Sequence, residues 1–136
     1  MIFPNDDTIF HNVFSLCEAC PIDLGIYEPG ESKTLPFEKT GLVGIYCNIH
    51  PDMVAAILVL SNPYFTVTDP DGFFAITGVP EGSYAIRTWH EFGGESRKQV
   101  LISKDAAHAH SLQIKKDRGT IPHKNKFGKP SRGAYR

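Results

Sequence analysis

The chain has 136 residues, of which 41% are hydrophobic and 21% are charged, and its formal net charge at neutral pH is −1. This length is enough for one domain or two small ones with a well-formed core. No apolar run approaches the ~20 residues of a membrane-spanning helix, so no membrane span is predicted. The amino terminus has neither a cationic start nor an apolar run, so no signal peptide is predicted.

The first predicted strand covers residues 8–16, where the side chains alternate as in a half-buried strand. This alternation places Phe10 and Phe14 on the face opposite Val13. His11 lies near the start of the strand. A single histidine in a strand is usually a partly buried polar residue, so a metal role for His11 depends on partners elsewhere in the chain.

A Cys-x2-Cys motif, Cys17 and Cys20, follows this strand and lacks the next histidine that covalent haem attachment requires. Three explanations are open. A disulfide between the two cysteines is favoured, because it fits an oxidising compartment and leaves Cys47 as the unpaired thiol. A second metal site or a redox-active dithiol is less favoured, since no alternation of strands and helices surrounds the motif.

The stretch 21–40 is predicted to be rich in loops, with a short strand over 33–37. Residues 42–46 are apolar throughout, as in a strand buried on both faces. The β-branched content and the length of 54–60 predict another strand there. The first half of the chain is thus predicted to hold four strands.

The loop between the last two of these strands carries Cys47, His50 and Met53, each separated from the next by two residues. With His11 as a second imidazole, they make a His₂Cys set with a methionine, which is the ligand set of blue-copper centres. Magnesium and calcium prefer oxygen ligands, so this set favours copper over either of them.

Two alternatives compete with a copper site. Cys47 and Met53 are of residue types that are commonly buried for packing alone. A zinc site of the Cys₃His kind could instead use Cys17, Cys20, Cys47 and His50. The first alternative treats three ligand-type residues in one loop as coincidence, and the second leaves the other histidine and the methionine without a role.

The copper ligand pattern resembles that of the cupredoxins, which pair a C-x2-H-x2-M loop with an upstream His-Asn at the start of a strand. The short ligand loop is similar to that of amicyanin. The pattern is more similar still to that of the plastocyanin-like group labelled methylamine-utilisation proteins, over residues 1 to about 92. The matching segments are His11–Val13, Leu24–Tyr27, Gly41–Val43 and Cys47–Met53.

This resemblance implies a Greek-key β-sandwich with one type 1 copper site whose ligands are His11, Cys47, His50 and Met53. It gives Asn12 the role of tying the two ligand loops together beside the sulfur. It also implies single-electron transfer between redox partners, no enzymatic activity, and a periplasmic or other extracytoplasmic location. Cupredoxin sandwiches normally have two or three strands before the His-Asn segment, and this chain is expected to lack them.

Residues 63–114 are predicted to form a small β module. Turn signals separate predicted strands over 73–76 and 84–89, and residues 98–103 and 109–114 are expected to close the module. The T-D-x-x-G-x-F and V-P-x-G-x-Y patterns resemble the carboxypeptidase-regulatory-like, or transthyretin-like, β-sandwich module. The resemblance implies that this part has no catalytic group of its own.

The tail, residues 115–136, holds eight of the 14 basic residues and one of the 15 acidic residues, so it carries a formal charge of +7 and the preceding residues carry −8. Its Gly, Pro and Lys content predicts an extended segment without a core. It is expected to be a solvated terminus or an arm that docks to an acidic redox protein or a neighbouring subunit. Nucleic acid is not expected as a partner, because only Phe127 and Tyr135 could stack on bases.

Three functions follow from these patterns. The preferred one is electron transfer through copper bound by residues 1–62, with the module 63–114 and the tail 115–136 as additions. The second is a non-redox structural or interaction β-sandwich subunit of an oligomer or larger assembly, with a vestigial copper or a zinc site. The third is copper delivery, in which Cys17 and Cys20 would be transfer ligands.

Overall fold

The computed structural model describes residues 1–17, 21–91, 93–104, 108–115 and 124–129. The regular elements in these residues are all β-strands in antiparallel sheets, so the prediction of an all-β fold is confirmed. Within them, no helix is long and apolar enough to cross a membrane. In chain order the strands are β1 (Ile2–Pro4), β2 (His11–Ser15), β3 (Ile22–Tyr27), β4 (Ser32–Thr34), β5 (Gly41–Tyr46), β6 (Val54–Val59), β7 (Gly82–His90) and β8 (Gly94–Ile102).

The chain divides into two compact units. The first unit contains Met1–Ser61 together with the described C-terminal residues 124–129. It holds a two-stranded sheet of β1 and β4 and a four-stranded sheet in the order β3-β2-β5-β6. The second unit begins at Asn62, and its described sheet consists of β7 and β8.

The core of the first unit lies on one face of the four-stranded sheet. Phe3 of β1 and Leu35 and Phe37, which follow β4, pack against this core, so the two-stranded sheet contributes to covering that face. Full burial of a large apolar side chain contributes about 1.5–3 kcal/mol, so this cluster is the main source of stability in the unit. The buried members of the cluster are Val13, Ile22, Tyr27, Val43 and Ile45.

The strand buried on both faces is β2 rather than β5. Phe14 lies on the face of β2 opposite Val13 and is 1% exposed, and its ring centroid lies 5.7 Å from that of Tyr46. Leu42 on β5 is 48% exposed, so the prediction that 42–46 is buried on both faces is wrong. β6 pairs with β5 along its whole length, and Leu58, which lies opposite Leu42, is 46% exposed.

A bulge in β3 sets which of its residues reach the core. The register of β2 against β3 shifts between Asn12 and Phe14, and β3 has one residue more than β2 across the shift. Gly25 lies in this segment with φ +67°, a conformation that residues with a Cβ rarely adopt. Beyond the bulge Tyr27 is 3% exposed whereas Ile26 is 63% exposed.

The second unit has a long antiparallel strand pair but little core in its described part. β7 and β8 pair over nine residues each. Before them, the Asp69 carboxylate accepts hydrogen bonds from the backbone amides of Asp71 (3.0 Å) and Phe73 (2.8 Å) and so stabilises the predicted turn. Val100 is the buried hydrophobic residue in the described part of this unit.

Several strand predictions need correction. The first half of the chain holds six strands instead of four, because β1 and β3 were not predicted, and the strand predicted over 33–37 lies at Ser32–Thr34 as β4. In the second unit, residues 73–76 and 109–114 are not strands. Neither stretch pairs with a strand in the described residues. The Greek-key and sandwich arrangements stay predictions.

Candidate metal centre

The loop after β5 is a tight bend closed by hydrogen bonds. The Cys47 amide donates to the Met53 carbonyl at 3.3 Å, and the Met53 amide donates to the His50 carbonyl at 2.9 Å. The His50 amide donates to the Cys47 sulfur at 3.4 Å. These bonds hold both ends of the bend together around the Cys47 side chain, which is 2% exposed.

Strand β2 brings a second histidine to this loop. Because β2 and β5 are antiparallel and pair through Phe14 and Tyr46, the residues before Phe14 run beside those after Tyr46. The Nδ1 atom of His11 lies 3.3 Å from Nδ1 of His50, and the Cys47 sulfur lies 3.7 Å from the latter. One ligand atom from each of the three residues lies within 4.8 Å of the other two, so they form a candidate metal-binding cluster.

Hydrogen bonds to the sulfur favour the thiolate form of Cys47. Burial raises the pKa of this thiol, but the backbone amides of Asn12 and His50 donate to the sulfur and leave the pKa below its ordinary value. Burial lowers the pKa of His11, but hydrogen bonds to Cys47 and Asp7 leave it raised. The thiolate is the form that binds metals, whereas a histidine must be neutral to do so; binding would therefore release the His11 proton.

The other ring nitrogen of His11 also has a partner. Its Nε2 lies 3.2 Å from the Asp7 carboxylate. A backbone hydrogen bond from Thr8 and the contact with His11 lower the pKa of Asp7. Asp7 was not predicted as a site residue. The available signal was a carboxylate four residues before a ligand, which spacing alone does not distinguish from an ordinary loop residue.

Asn12 connects the sulfur to the bulge in β3. Its backbone amide donates to the Cys47 sulfur. Its buried side-chain nitrogen donates to the Asp23 carboxylate and the Gly25 carbonyl, both at 3.1 Å. Asp23 in turn accepts from the Gly25 amide at 3.0 Å and from the Lys126 ammonium at 3.1 Å. Asp23 is a second supporting residue that the sequence did not reveal, because the bulge was not predicted.

The predicted axial ligand, Met53, lies at the end of the ligand bend with 37% of its surface exposed. The backbone hydrogen bonds of Met53 to Cys47 and His50 keep its main chain next to the cluster. Coordination by its thioether stays a prediction.

The two described cysteines are in different states. Cys17 is disulfide-bonded, and Cys47 is a free, buried thiol. Cys20, the predicted partner of Cys17, lies outside the described residues. A Cys₃His zinc site needs all of its thiols free to bind the metal, so a bonded Cys17 disfavours that alternative.

No protein-family model matches this chain, and no curated protein or solved structure is significantly similar to it. The resemblance to the cupredoxins thus rests on the residues quoted above. The geometry of His11, Cys47 and His50 is the structural observation from which a function is inferred.

Proposed function

We propose that this protein is a type 1 copper protein that carries single electrons between redox partners. The observation that carries the proposal is the cluster of His11, Cys47 and His50, in which Nδ1 of His50 lies 3.7 Å from the Cys47 sulfur and 3.3 Å from Nδ1 of His11. Two imidazoles and one thiolate in a trigonal set, with a weak axial methionine, hold copper in blue-copper centres. Met53 is the proposed fourth ligand.

The donor set fits copper better than other common metals. Magnesium and calcium bind oxygen ligands, and the cluster offers nitrogen and sulfur. Structural zinc sites use four strong ligands, and the disulfide at Cys17 removes one thiol from the zinc set considered above. Bound copper would supply a one-electron couple between Cu(II) and Cu(I).

The surrounding residues hold the ligands in one arrangement. The Cys47 sulfur accepts hydrogen bonds from the backbone amides of Asn12 and His50. These hydrogen bonds would be the same in both oxidation states of a bound metal. The His11 ring is held from its far side by Asp7. Outer partners of this kind orient metal ligands and tune the metal. A fixed ligand set requires little reorganisation at each electron transfer.

Electrons enter and leave through His50 in this proposal. Its ring is partly buried, and Ile49 beside it is 42% exposed, so an apolar part of the loop is open to a partner. Copper held by His11, Cys47, His50 and Met53 would supply the one-electron couple, and His50 would be the ligand through which a redox partner exchanges electrons with it. No covalent bond of a substrate is made or broken, so the protein is not an enzyme.

The disulfide at Cys17 supports an extracytoplasmic location, such as the periplasm. Disulfides persist in oxidising compartments and are rare where thiol reductants are abundant. A redox protein in the same compartment is the proposed partner, and the basic tail 115–136 would favour one with an acidic surface.

The proposal is tested by adding one equivalent of Cu(II) to the purified wild-type protein and to Cys47→Ser. The wild type is expected to show an intense thiolate-to-copper band at ~600 nm, and the variant to lack it. One-electron reduction should bleach the band, and reoxidation should restore it. A wild type that binds Cu(II) without this band would contradict the proposal.

A non-redox interaction subunit is the second candidate function. The observation that favours it is the exposure of apolar side chains in the second unit, where Val67 is 85%, Phe73 73% and Leu101 69% exposed. A partner chain that covered these side chains would remove apolar area from water, which favours association. A copper-free protein that forms a defined oligomer in sedimentation, together with no charge-transfer band, would support this candidate over electron transfer.

A further inference from the structure

The two ring nitrogens of His11 contact different groups. Nδ1 faces the metal-binding cluster, 3.3 Å from His50 Nδ1, and Nε2 lies 3.2 Å from Asp7 Oδ2. A neutral imidazole carries its proton on one nitrogen and a lone pair on the other. A carboxylate can only accept a hydrogen bond, so the contact with Asp7 requires the proton on Nε2. The lone pair of Nδ1 then faces the cluster, where a metal would be bound.

Asp7 is itself held in place by the loop between β1 and β2. Its other carboxylate oxygen accepts the Thr8 amide at 2.7 Å, and its backbone amide donates to the Asn5 side chain at 3.2 Å. Asn5 is 3% exposed, and its side-chain nitrogen donates to the carbonyls of Ile9 (2.9 Å) and Tyr27 (3.4 Å). The position of Asp7 is thus specified by a buried side chain that also donates a hydrogen bond to Tyr27 of β3.

We propose that Asp7 is a positioning residue of the metal centre, which holds the His11 ring in the tautomer and orientation that present Nδ1 to the metal. This inference rests on the proposed copper site. Carboxylate partners of metal-bound histidines fix the ring tautomer and raise ligand basicity, and their loss typically weakens metal binding about 10–100-fold.

Orientation should outweigh charge in this role. The Asp7 side chain is 53% exposed whereas that of His11 is 13% exposed, so water and salt screen the carboxylate charge more than they disturb the hydrogen bond. Asparagine at position 7 keeps a side-chain oxygen that can accept from Nε2–H. We therefore expect Asp7→Asn to retain more of the function than Asp7→Ala. The carboxylate charge favours Cu(II) over Cu(I), so both variants should have a higher midpoint potential than the wild type.

The experiment compares Asp7→Ala and Asp7→Asn with Asp6→Ala, which removes the same charge from the neighbouring exposed residue. Cu(II) affinity is measured by competition with a chelator, and the midpoint potential is measured by titration. The His11 tautomer is read in the copper-free protein from its nitrogen chemical shifts by NMR at alkaline pH, where the imidazole is neutral.

Asp6→Ala should match the wild type, with the His11 proton on Nε2. Asp7→Ala should bind Cu(II) about 10–100-fold more weakly, with a mixed tautomer population, and Asp7→Asn should lie between them. An Asp7→Ala protein with the affinity and tautomer of Asp6→Ala would overturn the inference. A wild type without the charge-transfer band, but with an Asp7-dependent tautomer, would overturn the copper proposal and leave the positioning of His11 by Asp7 standing.

Discussion

The two units of this chain are both built from antiparallel strands, but they bury apolar residues to very different extents. Seven of the eight buried hydrophobic residues in the described chain belong to the first unit, and Val100 is the one in the second. The second unit leaves Phe65 63%, Val67 85% and Phe73 73% exposed. Apolar composition alone therefore does not determine burial.

The number of sheets that pack together explains the difference in apolar burial between the two units. In the first unit, residues of a second sheet pack on the core face of the four-stranded sheet. The described sheet of the second unit has two strands, and an isolated two-stranded pair is at best marginally stable in water. The candidate metal centre lies in the unit with the well-formed core, where packing can hold ligand atoms within a fraction of an ångström. The second unit, with its small core, is better suited to contacts through its surface than to holding metal ligands.

The comparison is tested most strongly by a pair of matched truncations. Phe14→Ala removes a 1%-exposed ring from the first unit and should lower the free energy of unfolding by about 3–5 kcal/mol. Phe73→Ala removes a 73%-exposed ring from the second unit and should change the free energy of unfolding of that unit by less than about 0.5 kcal/mol. As denaturant is added, unfolding of the first unit is followed by the reaction of the buried Cys47 thiol with a colorimetric reagent, and unfolding of the second unit by the fluorescence of Trp89 on β7. Equal effects of the two truncations would refute the comparison.

A smaller effect is expected from the polar network behind the candidate metal centre. Asp23→Ala removes the acceptor for the Asn12 side chain, the Gly25 amide and Lys126, and should destabilise the first unit by about 1–2 kcal/mol. Lys126→Ala loses only a partly exposed ion pair and should cost less than about 1 kcal/mol. The same denaturation assay measures both variants. If Lys126→Ala lowers the free energy of unfolding as much as Asp23→Ala, the ion pair with Lys126 would matter more than the hydrogen bonds of Asp23 to Asn12 and Gly25.

The smallest effect is the pH dependence of the Asp23 contribution. The backbone amide of Gly25, and then Lys126 and Asn12, lower the pKa of Asp23, against the opposing effect of burial. A carboxylate with a lowered pKa in the folded state stabilises the fold above its unfolded-state pKa of about 3.9, and this contribution is lost as pH falls through the folded-state pKa.

The difference in the free energy of unfolding between wild type and Asp23→Asn should therefore be constant from neutral pH to about pH 5 and shrink below about pH 4. Denaturant titrations of both proteins at several pH values measure it. A difference that widens on acidification would mean that the pKa of Asp23 is raised in the folded state.

The sequence predicted the strands whose apolar pattern is continuous. β2 and β6 fall within the predicted stretches 8–16 and 54–60, and β5 begins one residue before the predicted stretch 42–46. The loop that carries Cys47, His50 and Met53 was predicted from the spacing of these residues. β3 was missed because Gly25 and the bulge interrupt the alternation of apolar residues. A regular alternation from Ile22 would have placed Ile26 in the core, where the structure has Tyr27.

The supporting residues of the candidate site were harder to predict than its ligands. His11, Cys47 and His50 belong to residue types that bind metals, so a recognisable spacing identifies them. Asp7 and Asp23 are ordinary surface-type residues in composition. Their contacts depend on a loop held by a buried asparagine and on a register shift, and neither feature has a signature in local sequence.

The sequence distance between the two histidines has a consequence for the lifetime of the folded chain. His11 and His50 are 39 residues apart, yet their Nδ1 atoms are 3.3 Å apart. An ion bound to both would close this loop as a cross-link does, and for a disulfide of similar span the loss of chain entropy in the unfolded state is worth about 4 kcal/mol. Metal-loaded and metal-free molecules would then differ in how often they open to a protease. Proteolysis would then remove metal-free molecules faster than metal-loaded ones without any dedicated sensor.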